Sequence, residues 1–383
     1  MVRISDIFKK SAAGKPLSAP EEKAREELSP ETPFEEPRSK IRPTFHQTPL
    51  HRAMSPKEES QTEDYGSMRI AKAMQETAQD KARSQNLYLT GIQLIKEVFT
   101  NAEQLKPINL TQIKSWTDNI VDSLIFVDAE LLHLFYEYAS DNYLYSHMVN
   151  TTVMATEVGL GLGYNKSQLN DLGTAAFLHD IGMIKVENLQ MQPRKLTEEE
   201  YTKVKNHPLY GADILSQVKD IAEPVIYVAK EEHERMNGTG YPSGIKDGDI
   251  SEYARIVGIV DVYEALTHNR PYRKKISPHD AIKELISSNP LFDSIILKVL
   301  ISKAGVYPIS SWVELNSGEI GKVMINNHEF PLRPVVHILF DSTGYRMKEP
   351  RIINLAKEFN SFIKKALTEE ELARKVKEEP AET

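Results

Sequence analysis

The chain has 383 residues, no cysteine and a net charge of −8 at neutral pH. This length allows two or three domains, and the lack of cysteine excludes disulfide bonds and thiolate metal sites. The negative charge argues against a binder of long nucleic acids, which normally carries a basic field. Because no apolar run approaches the roughly 18 residues of a membrane span and no signal-peptide core is present, we expect a soluble cytoplasmic protein.

The first third of the chain changes character at about residue 65. Residues 1–65 contain 8 of the 21 prolines and few large apolar residues, which predicts a disordered tail. Residues 66–140 show helical spacing, for example at Leu87, Ile92 and Ile95, and are predicted to form a helical N-terminal region. This region is either a separate module or the first helices of the next domain.

The remainder is predicted to be helical first and then β. Residues 141–307 are helix-rich and are interpreted as the catalytic domain. Residues 308–345 read as a small β appendage with strands at 312–315, 320–325 and 335–340. Residues 346–383 are predicted to be a helix, from the spacing of Ile352, Leu355, Phe359 and Phe362, followed by a loose tail. The fold class is therefore mainly α: a helical bundle with a helical N-terminal region and a small C-terminal β appendage.

Histidine and aspartate residues recur through the predicted catalytic domain at intervals of 26 to 32 residues. They are His147, the pair His179–Asp180, His207, His233 beside Glu232, and Asp261. One step is about the length of a helical hairpin, so each can come from a different helix and converge in the bundle core. Imidazole and carboxylate ligands without thiolate suit Fe, Mn or Zn.

Local sequence supports this interpretation. The pair His179–Asp180 follows an apolar run and precedes Gly182, where a helix can end and let both side chains face one centre. An adjacent pair of this kind allows the histidine to bind one metal and the carboxylate to bridge to a second. Asp261 follows the apolar run 256–260, and a buried aspartate needs a partner, which a metal supplies. Taken singly, each residue also fits an ordinary buried or capping role.

Two further segments carry possible substrate chemistry. Residues 237–242 contain two glycines and a proline, which make a tight loop. Arg270 and Arg273 flank a proline-containing turn and offer guanidinium groups that bind phosphate in a forked geometry. The alternatives are a plain connector and a solvated basic turn.

The stretch from His147 to about Arg273 resembles an HD-GYP domain, a branch of the HD phosphohydrolase superfamily. The matching segments are 179–182, 195–197 with Glu200, 207–208 with Gly211, 233–235, 238–242, 254–256 with Asp261, and 265–267 with 270–273. The resemblance implies an all-helical bundle around two or three metals that hydrolyses the bacterial messenger cyclic di-GMP. It covers roughly a third of the chain.

The resemblance also implies residue roles. One metal would be held by His147, His179, Asp180 and Asp261. Asp180 would bridge to a second, held by His207, Glu232 and His233. Gly240, Tyr241 and Pro242 would border the substrate groove, and Arg270 and Arg273 would meet phosphate or guanine. Asp180, Arg270 and Arg273 are accordingly the predicted catalytic residues.

Five positions depart from the family pattern. Glu232 replaces a histidine, Met183 replaces a lysine that approaches substrate phosphate, and Asn237 and Glu264 replace aspartates. Tyr143 stands where three-metal members carry a glutamate, so we expect two divalent ions, Fe or Mn, with Zn as a further candidate. The predicted function is hydrolysis of cyclic di-GMP to the linear dinucleotide.

Two other functions stay open. One is a degenerate domain that binds cyclic di-GMP or a protein without turnover, and the other is hydrolysis of a different phosphoester. Protein partners at the N-terminal tail and β appendage, and a homodimer, are further hypotheses.

Overall fold

The computed structural model describes residues 78–126, 129–137, 143–186, 189–327 and 330–377. The predicted disordered tail, residues 1–65, lies outside the described residues, as do the first residues of the predicted helical N-terminal region. In the part of the chain that is described, no helix is long and apolar enough to cross a membrane.

Between residues 78 and 304 the described part of the chain is mainly helical, and most of these helices begin at a side-chain cap. The helices are α1 (Ala78–Glu103), α2 (Leu110–Ile125), α3 (Ala129–Glu137), α4 (Tyr143–Gly161), α5 (Lys166–Leu178), α6 (Glu198–Val204), α7 (His207–Ser216), α8 (Glu223–Glu231), α9 (Glu252–Thr267), α10 (Pro278–Ser287) and α11 (Ser294–Ala304). Short 3-10 segments cover Ile181–Lys185, Leu189–Met191, Asp247–Asp249 and Asn289–Leu291. Asn165 and Thr197 form capping boxes at α5 and α6, which satisfy backbone N–H groups that the first helical turn leaves unpaired.

Helix α4 is the centre of the bundle. Its residues from Ser146 to Gly159 are all buried, as expected of a helix surrounded by others. Helices α1, α5, α9 and α11 pack around it. Because α1 and α2 also pack on α4 and α5, the described part of the N-terminal helical region shares the core of the bundle.

Helices α1 and α2 meet at an unusually close contact. Gly91 faces the ring of Trp116, leaving no room for a Cβ atom. The indole Nε1 of Trp116 donates a hydrogen bond to the backbone oxygen of Leu87 at 2.9 Å. The contact brings α1 against the bundle.

A five-stranded antiparallel sheet follows the bundle. Its strands are β1 (Trp312–Leu315), β2 (Ile320–Ile325), β3 (Val335–Phe340), β4 (Arg346–Asn354) and β5 (Ile363–Leu367), in the order β4-β3-β2-β1-β5. The three predicted strands are confirmed, and Gly318 takes the positive φ, +87°, required by the turn between β1 and β2. Asn326 Nδ2 donates to the backbone oxygen of Ala304 at 2.8 Å, which ties the sheet to the end of α11.

The helix predicted within residues 346–383, from the spacing over 351–366, is wrong. Residues 346–354 pair with β3, residues 363–367 pair with β1, and the only helix described beyond them is the short α12 (Glu369–Lys375). The apolar spacing resembled that of a helix, but Ile353 and Leu355 enter the sheet core, whereas Phe359 is 80 % exposed. Pairing with the free edges of β3 and β1 is a non-local interaction that helical periodicity cannot register.

Candidate metal centre

Five elements of the bundle deliver the predicted metal ligands to one place. His147 lies in the first turns of α4, and His179 and Asp180 follow the last residue of α5. His207 is the first residue of α7, which carries proline in its first turn, as predicted. The remaining ligands are Glu232 and His233, just past the end of α8, and Asp261 in α9.

The ligand atoms form two groups that share Asp180. One group is His147, His179 and Asp180, the other is Asp180, His207, Glu232 and His233, and within each the atoms lie within 4.8 Å of one another. Asp180 Oδ2 lies 3.7 Å from His147 Nε2, and its Oδ1 lies 3.1 Å from His207 Nε2. The carboxylate therefore turns one oxygen to each group, as a bridging ligand would.

Asp261 contacts one histidine of each group. Its Oδ1 lies 3.2 Å from His147 Nε2, and its Oδ2 lies 4.0 Å from His233 Nδ1. All seven predicted ligands are thus in one cluster, in which Asp261 lies beside His147 and His233.

Glu232 gives the clearest sign that a cation belongs here. Its side chain is fully buried, and neither carboxylate oxygen has a hydrogen-bond partner among the described residues. Its nearest neighbours are imidazole nitrogens, His179 Nε2 at 3.5 Å and His207 Nε2 at 3.7 Å. His179 Nε2 also lacks a partner. Since a buried carboxylate without a partner is strongly unfavourable, the donor set fits a divalent cation placed among these atoms.

Backbone carbonyls and one carboxylate set the orientation of the imidazole rings. His179 Nδ1 donates to the oxygen of Ala176 and His207 Nδ1 donates to that of Val204, both at 2.7 Å. His147 Nδ1 donates to Glu264 Oε2 at 2.6 Å. These bonds direct each Nε2 atom at the cluster, the usual arrangement for metal-binding histidine.

Glu264, which the sequence identifies only as a departure from the family pattern, orients the predicted ligand His147. It is buried and also accepts hydrogen bonds from Asn150 Nδ2 at 3.1 Å and Arg270 Nη2 at 3.0 Å. Tyr88 of α1 in turn donates to Asn150 Oδ1 at 2.5 Å. The available signal was its position three residues after Asp261, which places both carboxylates on one face of α9.

Charges in the cluster hold protons on two of the histidines. Burial lowers the pKa of His147, but the Glu264 and Asp261 carboxylates together raise it to about 10. Burial also lowers the pKa of His207, but its contact with Asp180 and the negative charges of Asp180 and Glu232 raise it to about 10. Burial, followed by the positive charge of His207, lowers the pKa of His233 to about 3. A metal must therefore displace protons from His147 and His207.

The predicted substrate loop is clamped to the turn that carries Glu232 and His233. Tyr241 N donates to the oxygen of His233 at 3.2 Å, and the two rings stack with centroids 4.7 Å apart. Gly240 lies so close to the backbone of Glu234 and Arg235 that a Cβ atom would collide with it. Glu234 Oε1 accepts from the N–H of Ser243 at 2.7 Å just beyond Pro242. The loop thus forms one wall of the centre.

The two predicted arginines differ in position. Arg270 lies beside the cluster, but it pairs with Glu264, packs over the Tyr143 ring at 4.6 Å and exposes only 9 % of its side chain. Arg273 donates to the backbone oxygens of Ala265 and Leu266 in the last turn of α9. Both guanidinium groups therefore have protein partners, and their contact with substrate stays a prediction. Met183 is buried and brings no charge to the centre.

Comparison with known proteins identifies the domains. Residues 133–296 match the family model described as HD domain, and residues 312–375 match that described as KOW domain associated with HD domain. The first match confirms the HD-type resemblance. The second spans the sheet and α12, well past the predicted end of the β appendage at residue 345.

Several known proteins are similar to the chain, among them the following two relatives and one solved structure. A cyclic di-GMP phosphodiesterase of Pseudomonas aeruginosa is 30 % identical over 264 residues, 69 % of this chain and 64 % of the relative. The cyclic di-GMP phosphodiesterase PdeB of Borreliella burgdorferi is 28 % identical over 236 residues, 61 % of this chain and 62 % of the relative. The chain therefore spans less than two thirds of each. An HDG"Y"P protein from Bdellovibrio bacteriovorus shares the fold, with a TM-score of 0.50 and 22 % identity over 64 % of this chain and 80 % of that chain.

Proposed function

We propose that this chain, in which residues 133–296 are an HD domain, is a metal-dependent phosphodiesterase that hydrolyses cyclic di-GMP to the linear dinucleotide. The observation that carries the proposal is the pair of His/carboxylate groups joined through Asp180. The two relatives named as cyclic di-GMP phosphodiesterases support the choice of substrate.

The centre would hold two divalent ions. His147, His179, Asp180 and Asp261 would hold one, and Asp180, His207, Glu232 and His233 the other. A donor set of imidazoles and carboxylates suits Fe or Mn, with Zn as a further candidate. Glu232 adds a hard anionic oxygen ligand, which favours the harder ions.

Divalent ions bound there supply Lewis-acid polarisation of a phosphoryl oxygen and acidify water. The protein's own contribution is geometric and electrostatic. Asp180 fixes the separation of the two ligand groups, because its two oxygens face different groups. Glu264 holds the His147 ring, and the Arg270 guanidinium adds a buried positive charge beside the place where negative charge develops. Tyr241 closes one side of the site against His233.

Opening of the ring is the expected reaction. Two groups of candidate ligands converge among the described residues, so the centre would hold two ions. Tyr143 stands where three-metal members of the HD-GYP domain carry a glutamate, which supports two ions and the linear dinucleotide as product.

The test is product analysis by chromatography after protein loaded with Mn, or anaerobically with Fe, is incubated with cyclic di-GMP. The wild type should yield the linear dinucleotide, and Asp180→Asn, which keeps the size of the side chain, should yield none. Absence of turnover with every metal in folded, metal-loaded protein would refute the proposal. Binding of cyclic di-GMP under those conditions would favour the non-catalytic alternative.

Three hypotheses about the whole protein are still predictions. They are a cytoplasmic location, protein partners at the tail and β appendage, and a homodimer.

A further inference from the structure

A lysine lies beside the metal centre with its ammonium between two aromatic rings. Lys205 caps the end of α6, where its backbone N–H donates to the oxygen of Tyr201 at 3.0 Å. Its Nζ lies 5.1 Å from the centroid of the Tyr201 ring and 5.2 Å from that of the Tyr241 ring. Cation–π attraction to two rings holds the ammonium in one place, two residues before the candidate ligand His207.

The charge of Lys205 is not neutralised by the protein. Within the described ranges no carboxylate forms an ion pair with Lys205. Two other cations differ: Arg194 pairs with Glu200 of α6 at 2.7 Å, and Arg270 pairs with Glu264 at 3.0 Å. An ordered, half-buried ammonium without an anion is a ready binding point for one.

Tyr241 connects this ammonium to the candidate ligands. The ring that contacts Lys205 also stacks on His233, with centroids 4.7 Å apart and planes 25° apart. Lys205 therefore lies beside the candidate ligands and is separated from His233 by the Tyr241 ring.

We propose that Lys205 binds the second phosphate of the cyclic dinucleotide, the one that is not cleaved, while Tyr201 and Tyr241 hold the ammonium in position. The proposal rests on the proposed function, because it takes a cyclic dinucleotide as the substrate. A cyclic dinucleotide carries two phosphodiesters in one ring, so when one is at the metal centre the other must be accommodated beside it. Lys205, which forms no ion pair among the described residues and contacts the ring that stacks on His233, is placed to meet it.

The competing explanation is packing. Lysine side chains often lie over tyrosine rings at a surface without any ligand. That explanation predicts that removing the charge affects all substrates alike, or none of them, whereas the phosphate contact predicts an effect confined to substrates with a second phosphate.

The experiment compares cyclic di-GMP with bis(p-nitrophenyl) phosphate, which has a single phosphodiester. Lys205→Met keeps most of the apolar stem and removes the charge, Lys205→Arg keeps a charge, and Lys203→Met is the matched control. Lys203 is an exposed lysine two residues earlier on α6. Metal content is measured for each protein, so that any loss of the ions is seen directly.

We expect Lys205→Met to raise KM for cyclic di-GMP about 10- to 100-fold, the range for loss of one charge-assisted hydrogen bond. The ratio of kcat/KM on cyclic di-GMP to kcat/KM on bis(p-nitrophenyl) phosphate should fall at least 10-fold. Lys205→Arg should retain most of the ratio, and Lys203→Met should leave it at the wild-type value.

Equal losses on both substrates, or no loss on either, would overturn the role of Lys205. A wild type that cleaves bis(p-nitrophenyl) phosphate but not cyclic di-GMP would instead refute the proposed function. In that event the role of Lys205 is tested by measuring the affinity for cyclic di-GMP by calorimetry. An affinity at least 10-fold weaker in Lys205→Met supports the phosphate contact, and an unchanged affinity or no binding to the wild type overturns it.

Discussion

Glu232→Gln should have opposite effects on the metal-free and the metal-loaded protein. The substitution keeps the shape of a fully buried side chain and removes its charge. Burial raises the pKa of Glu232 above its ordinary value of 4.5. A carboxyl group with a raised pKa stabilises the fold at pH values below 4.5, and this contribution is lost as the pH rises through the raised pKa. At pH 7 the charged carboxylate therefore lowers the stability of the metal-free protein, and replacing it by glutamine should not lower that stability further.

The metal-loaded protein should respond in the other direction. Loss of an anionic ligand should weaken metal binding by about 100-fold, the upper end of what even outer-shell partners contribute. With metal in excess, a 100-fold weaker affinity removes about 2.7 kcal/mol of metal-linked stability. For a domain of about 150–250 residues this corresponds to a Tm lower by about 5–11 °C.

The assay is thermal unfolding of wild type and variant at pH 7, in EDTA and in excess Mn or Zn. Glu231→Gln is the matched control, because Glu231 is the preceding residue and its Oε2 accepts from the N–H of Ser251 at 2.8 Å, outside the cluster. Its effect on Tm should be the same with and without metal. An equal fall in Tm for Glu232→Gln under both conditions would mean that Glu232 serves the fold alone, and the argument from its unpaired oxygens would fail.

Three further results are expected. His147 and His207, each with a pKa of about 10, must lose protons to bind metal, so the affinity for metal should rise with pH below about pH 10. Calorimetry in buffers of different protonation enthalpy should detect up to two protons released per site. A metal affinity that does not depend on pH would contradict the protonation of these rings. Glu264→Gln should weaken metal binding about 10- to 100-fold, measured by competition with a chelator. A variant with wild-type metal affinity would show that His147 binds metal without the hydrogen bond to Glu264. Gly240→Ala should displace Tyr241 from His233, because the added Cβ collides with the backbone of Glu234. It should lower kcat/KM more than 10-fold, with far-UV circular dichroism as the control for folding. Unchanged kinetics would mean that the loop does not border the substrate.

The sequence predicted the helices and the first three strands because their apolar residues follow one period over a whole element. It failed beyond residue 345, where Ile352 and Phe359 by chance lie at helical distances while the chain is held by pairing with β3 and β1. In the site, regular spacing was enough to predict which seven side chains converge. It did not indicate that Arg270 is engaged by Glu264, since that depends on the distance between two side chains and not on the pattern of the chain. Lys205 had no signal at all, because one lysine near a histidine is indistinguishable from a solvated surface lysine.

The centre depends on helices that stop at the right residue. Both adjacent pairs of candidate ligands, His179–Asp180 and Glu232–His233, lie just past the last residue of a helix. Within a continuing helix neighbouring side chains point about 100° apart, so the two members of a pair would not face one centre. After Asp180 the chain takes a 3-10 turn in which Gly182 lies against the backbone of His207 and Gly211, with no room for a Cβ atom. This close approach brings the first residue of α7 next to the end of α5, and it explains how His207 Nε2 comes within 3.1 Å of Asp180 Oδ1. Gly182 is thus as necessary to the arrangement of the two groups as the ligands themselves, although it carries no side chain.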